Sequence, residues 1–159
     1  MEKINSYAGL AENDYLYAKN SMDVGRAVGN FNVVASLCAQ AAEKYLKSVI
    51  EKSFLDDPDV LNLLHTHNLR AIYNKIITRY TLTVSSKDCK WLGDFYYDAR
   101  YPGDNFIVVN EDDANECIHI VEQIRADIYS VLELIASQNE KARGKIRKVK
   151  AFPGIHQDR

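Results

Sequence analysis

The sequence predicts an all-α protein, an antiparallel up-and-down bundle of about five helices, and three observations carry that prediction. Apolar residues recur three and four apart along most of the chain, the spacing at which side chains share one face of a helix. Glycine and proline fall between the periodic stretches, at Gly25, Gly29, Pro58, Pro102 and Gly103. The one stretch that alternates as a strand would, Tyr80-Thr81-Leu82-Thr83-Val84, has no second strand to pair with, and is predicted to be an extended connection. With 159 residues, 47% of them hydrophobic and 26% charged, the chain fits one ordered domain.

The elements follow in order. Ile4, Ala8, Ala11, Tyr15, Ala18 and Met22 form the seam of a first helix, which Gly25 and Gly29 are expected to interrupt. Phe31, Val34, Cys38, Ala41, Tyr45 and Val49, widened by Leu37, Leu46 and Ile50, make a broad stripe that suits a central helix with several neighbours. On its other side Glu43, Lys47 and Glu51 are spaced for ion pairs worth a few tenths of a kcal/mol each. Asp57-Pro58 reads as the start of a short turn. Thr66 is placed to cap a third helix that turns Leu69, Ile72, Tyr73, Ile76 and Ile77 inward. Ser85 and Asp88 have capping-box spacing ahead of Trp91, Leu92, Phe95, Tyr96 and Ala99, and that fourth helix must end before Pro102. Asn110 opens the last helix, with Glu111, Asp112 and Asp113 at its positive end and a stripe of Cys117, Val121, Ile124, Ile128, Val131, Leu132 and Ile135.

Twenty basic residues face 22 acidic ones, for a net charge of −2, so a broad nucleic-acid coat is not expected. The charge is unevenly spread. Residues 141–159 hold Lys141, Arg143, Lys145, Arg147, Lys148, Lys150 and Arg159 against Asp158 alone. The division expected is therefore a helical bundle over 1–140 and a basic tail over 141–159. That tail is either a solvated segment or an electrostatic arm for phosphate backbone. The first twenty residues lack the apolar core of a signal peptide, and no run is long enough to cross a bilayer. Cys38, Cys89 and Cys117 are odd in number and far apart, which fits free thiols in a reduced cytoplasmic protein without membrane contact.

Few residues carry recognisable chemistry. His65-Thr66-His67 looks like a metal pair, but zinc needs further ligands and none stands at a fitting spacing, so no metal and no other cofactor is expected. Capping by Thr66 and hydrogen bonding by His67 are the roles expected there. His119 borders the apolar stripe of the last helix, as a structural histidine would. Neither a glycine-rich phosphate loop nor a GxSxG elbow occurs. The densest cluster is Tyr96-Tyr97-Asp98-Ala99-Arg100-Tyr101-Pro102-Gly103-Asp104. Either its tyrosines stack on a base while Arg100 grips a phosphate, or the tyrosines edge the core and Arg100 pairs with Asp98 or Asp104.

Three stretches, Ala39-Gln40-Ala41-Ala42-Glu43-Lys44-Tyr45-Leu46-Lys47, His65-Thr66-His67-Asn68-Leu69 and Tyr97-Asp98-Ala99-Arg100-Tyr101-Pro102, together resemble the HEPN family, the higher eukaryotes and prokaryotes nucleotide-binding domain. The resemblance spans roughly residues 5–137. It implies a bundle of about five helices, usually a homodimer, often beside a minimal nucleotidyltransferase as half of a toxin–antitoxin pair. Many members are metal-independent ribonucleases that use an Arg followed by His after four to six intervening residues. Here those positions after Arg100 hold Asn105, Phe106 and Ile107, and no other Arg and His share the spacing. Ribonuclease action by that route is not expected. What remains is a non-catalytic domain that binds a nucleotide or RNA, or pairs with a nucleotidyltransferase, through Lys44, Lys47, His67, Tyr97, Arg100 and Tyr101, with Lys44, Tyr97 and Arg100 expected to meet at a groove that takes a nucleotide phosphate or a partner's acidic loop. The alternatives are a ribonuclease toxin with a substitute for the missing His, and a purely structural interaction module.

Overall fold

The structure, a computed structural model, describes residues 4–150, with side chains as far as residue 145. Among the described residues six helices follow one another: α1 (Tyr7–Val28), α2 (Asn32–Ser53), α3 (Val60–His65), α4 (Leu69–Ile76), α5 (Ser86–Asp98) and α6 (Glu111–Lys150). No strand occurs among the described residues. The long helices α1, α2, α5 and α6 run alternately up and down, and α2 touches all five others. Its predicted stripe is buried throughout except at half-buried Leu37, with Tyr45, Leu46 and Ile50 fully enclosed. A helix covered on most of its sides leaves some of its polar positions buried too. Glu43 and Lys47, expected on a solvated face, are accordingly only 6% and 4% exposed.

The sixth element is α3, where the sequence suggested only a turn. Asp57 starts this region by accepting a hydrogen bond from the Asp59 N–H at 2.9 Å. The break at Gly25 is also corrected: α1 runs through it to Val28. Gly25 serves close packing there, since a Cβ would lie 2.4 Å from Cδ1 of Phe31. Gly29, at φ +69°, ends the helix in the left-handed geometry that glycine adopts without strain. Thr66 does not cap the next long element. It accepts from the Asn68 N–H, and Asn68 caps α4 by accepting from the Ala71 N–H at 3.0 Å. Ile77, expected inward, is 45% exposed because α4 has ended before it.

The starts of α5 and α6 agree with the sequence, whereas α1 begins at Tyr7 and leaves Ile4, expected in its seam, outside the helix and 78% exposed. Ser85 and Asp88 form the reciprocal capping box of α5, and Asn110 accepts from the Asp113 N–H at 2.8 Å ahead of α6. Residues 80–84 form the expected connection. The N–H groups of Thr83 and Val84 donate to buried Asp127 on α6 at 2.8 and 3.0 Å, which gives an unpaired extended segment its partners. Across the bundle, Glu12 on α1 accepts from Arg125 of α6 at 2.7 and 2.9 Å, from Tyr45 of α2 at 2.6 Å and from Tyr129 at 3.2 Å. One carboxylate thereby ties three helices together. The Arg125 hydrogen bonds hold its pKa below the usual glutamate value, against the opposing effect of burial.

Cys38, Cys89 and Cys117 are free and buried. Burial pushes the thiols of Cys38 and Cys89 up to about 12, and that of Cys117 also upward. His119 is exposed on α6 rather than lodged at its stripe. α6 continues without a break past residue 140. Lys141, Arg143 and Lys145 are exposed on it, and residues 151–159 lie outside the described residues. No helix among the described residues is long and apolar enough to cross a membrane.

Candidate functional site: an arginine corner between α2 and α5

The corner is built from the start of α2 and the segment that leaves α5. Asn32, in the first turn of α2, is 7% exposed and uses its whole carboxamide on that segment. Its amide nitrogen donates to the carbonyls of Ala99 and Ile107 at 2.9 and 2.7 Å. Its oxygen accepts from the Val109 N–H at 2.9 Å. Three backbone groups of an irregular stretch are thus satisfied by one buried side chain, and the residues between them are held against α2.

Arg100 projects from this clamped segment and is exposed. Its Nε donates to Ser36 Oγ at 3.2 Å, one turn along α2 from Asn32. The guanidinium carbon lies 5.3 Å from the ring centre of Tyr96 and 5.9 Å from that of Tyr101. Among the described residues no carboxylate pairs with it, so the pairing with Asp98 or Asp104 that the sequence left open is not formed. The aromatic rings hold the planar cation in place while leaving its charge uncompensated.

The tyrosines form one cluster with His67. The His67 ring stacks on Tyr96 at 4.5 Å between centroids and 21° between planes, and meets Tyr97 edge-on at 6.1 Å. Tyr97 and Tyr101, 53% and 55% exposed, lie 6.4 Å apart. Behind them, His67 Nδ1 is 3.0 Å from Glu43 Oε2, and Lys47 Nζ donates to Glu43 Oε1 at 2.6 Å. Burial, with the Glu43 charge next, raises the pKa of Tyr96. Its hydroxyl therefore stays protonated at neutral pH.

Of the six residues singled out from the sequence, His67, Tyr97, Arg100 and Tyr101 come together. Lys47 lies behind them and is too buried to reach a ligand; it neutralises Glu43. Lys44 does not join the cluster. At about 100° of turn per residue, Ser36, Glu43 and Lys47 share one face of α2, while Lys44 points toward α1. There its ammonium is bound by Asp14.

Sequence reasoning missed Asn32, Ser36, Gln40 and Phe106. Together with Arg100 they border a groove of about 420 Å³ between α2 and the clamped segment. A second cleft of about 250 Å³ lies beyond His67, between α4 and α5, with Arg70 and Lys90 on its walls. Lys90 is engaged there by Asp94 at 3.0 Å. No cluster of His, Cys, Asp and Glu able to hold a metal occurs among the described residues.

Fold and corner define the class: a small up-and-down helical domain that presents an uncompensated arginine among tyrosines at a helix end. A family model for the HEPN domain matches residues 8–132, and the chain belongs to the HEPN family. Comparison with curated proteins gave no match. Comparison with solved structures gave none either.

Proposed function

We propose that this HEPN domain is a non-catalytic binding module whose corner takes the phosphate of a nucleotide. One observation carries the reading: Arg100 is exposed, oriented by Ser36 and two tyrosines, and lacks a carboxylate partner among the described residues. A guanidinium held this way offers its outer N–H groups as a fork that matches two phosphate oxygens. Tyr97 and Tyr101 supply exposed ring faces beside it. Equilibrium dialysis of the four nucleoside monophosphates against wild type and Arg100→Ala tests the reading. Binding that falls at least about tenfold in the variant, with the helical circular dichroism kept, supports it. Absence of binding to wild type at millimolar ligand refutes it.

A second reading, RNA cleavage, is favoured by the placing of His67. Its Nδ1 sits on Glu43, which orients the ring, and both His67 and Arg100 rest against Tyr96. A histidine oriented by a carboxylate is a common general acid–base arrangement. Incubation with total RNA separates the two: cleavage lost in both His67→Ala and Arg100→Ala selects the second reading.

For partners, the proposal includes a second copy of the chain and a minimal nucleotidyltransferase. The outer face of α1 suits the former, since Leu10, Tyr17 and Val24 recur seven apart and are 42%, 60% and 62% exposed. Asn13 and Asn20 stand between them, so the strip carries no charge.

A further inference from the structure

The groove beside Arg100 has features that a phosphate site alone does not need. Its volume of about 420 Å³ falls within the roughly 300–1,000 Å³ typical of small-molecule pockets. Part of its wall is apolar. Val33 is 60% exposed and Phe106 44% exposed, and half-buried Leu37 also lines the groove. Large apolar side chains left open on both sides of one cleft offer stacking and van der Waals surface to a flat ring. The Asn32 hydrogen bonds fix both walls relative to each other, so little ordering is left for a ligand to impose.

One side chain there can read a base edge. Gln40 lies one turn beyond Ser36 on α2, and its Nε2 donates to the Ser36 carbonyl at a long 3.3 Å. A primary amide has two hydrogens and one acceptor oxygen, so one hydrogen and the oxygen remain for a ligand. Adenine presents the complementary pair, the N7 acceptor next to the N6 amino donor. The same edge of guanine presents two acceptors, N7 and O6, which the amide can meet only with its hydrogen. Pyrimidines offer a smaller face to Phe106. No acidic residue lines the groove, which leaves the phosphate no repulsion at its Arg100 rim.

We propose that this groove is the base pocket of the Arg100 site and that it selects adenine, with Phe106 as the stacking surface and Gln40 as the reader of the base edge. The inference rests on the phosphate reading of Arg100. Titration calorimetry with AMP, GMP, CMP, UMP and inorganic phosphate tests both, using wild type, Gln40→Leu, Phe106→Ala and Arg100→Ala, each checked by circular dichroism. Wild type is expected to bind AMP about tenfold more tightly than the pyrimidine nucleotides and several-fold more tightly than GMP. Gln40→Leu should abolish the AMP–GMP difference, and Phe106→Ala should weaken AMP about tenfold without changing inorganic phosphate. Equal affinity for all four monophosphates, or an unchanged preference in Gln40→Leu, overturns the base pocket and leaves the phosphate reading standing. No binding of any monophosphate overturns both.

Discussion

The side chain of Asn32 accepts a hydrogen bond from the backbone N–H of Val109 at 2.9 Å, across 77 residues of sequence. The same carboxamide donates to Ala99 and Ile107, and so closes the segment that carries Arg100 and Phe106. This clamp is the structural reason that an irregular stretch can present a site in a fixed geometry.

Asn32→Ala leaves three backbone groups without their partner, two of them carbonyls and one an N–H. We expect a loss of about 2–3 kcal/mol in urea unfolding, and weaker nucleotide binding under conditions where the variant is folded. Asn32→Asp keeps the acceptor but not the donors, and should also be destabilising. Unchanged stability in both variants contradicts the clamp.

The Glu43–Lys47 pair gives a second prediction. Both side chains are nearly enclosed, at 9% and 5% exposure, and the other oxygen of Glu43 faces His67 Nδ1 at 3.0 Å. Lys47→Met removes one charge and leaves the other buried, at an expected cost of about 3 kcal/mol. The double variant Glu43→Leu with Lys47→Met should recover much of that loss, because it leaves no stranded carboxylate. Denaturant melts of the two singles and the double measure the coupling.

How much of this was legible in the sequence depends on the range of the interaction. Helical stripes and caps are local: the Ser85–Asp88 box and the Asn110 cap involve residues three apart, and both are formed as read. Gly25 looks like a break in the sequence, which does not reveal that the Phe31 ring lies against it. Arg100 and its tyrosines stood out as an unusual local cluster. Ser36, 64 residues before Arg100, gave no signal, since a serine on a helix is unremarkable until another segment packs on it. The motif groups Lys44 and Lys47 with Arg100, but the angular position of Lys44 on α2 turns it to Asp14, and burial against Glu43 withdraws Lys47.

Acid should weaken the α1–α6 junction. Glu12 titrates below its ordinary value in the folded chain, chiefly because of Arg125, so its ionised form is favoured by folding. The stabilisation is fully present above the unfolded glutamate pKa, about 4.3, and is lost as pH falls through the lower folded value. Glu12→Gln should cost about 1–2 kcal/mol at pH 7 and remove part of the stability loss that wild type suffers below about pH 4. Urea midpoints across pH 2–7 check both the size and the sign.

The three cysteines should be unreactive in the native state. Their thiols are buried and are shifted upward, which suppresses the thiolate that a disulfide reagent attacks. Ellman's reagent is expected to label none of them in buffer and all three in denaturant. Rapid labelling of a folded sample contradicts the core packing.

The most direct test of the account is the affinity of AMP for wild type and for Arg100→Ala, measured by equilibrium dialysis on samples with matched circular dichroism. Saturable binding to wild type is expected, weakened at least about tenfold when the guanidinium is removed. Equal binding to both proteins, or none to wild type at millimolar AMP, contradicts it.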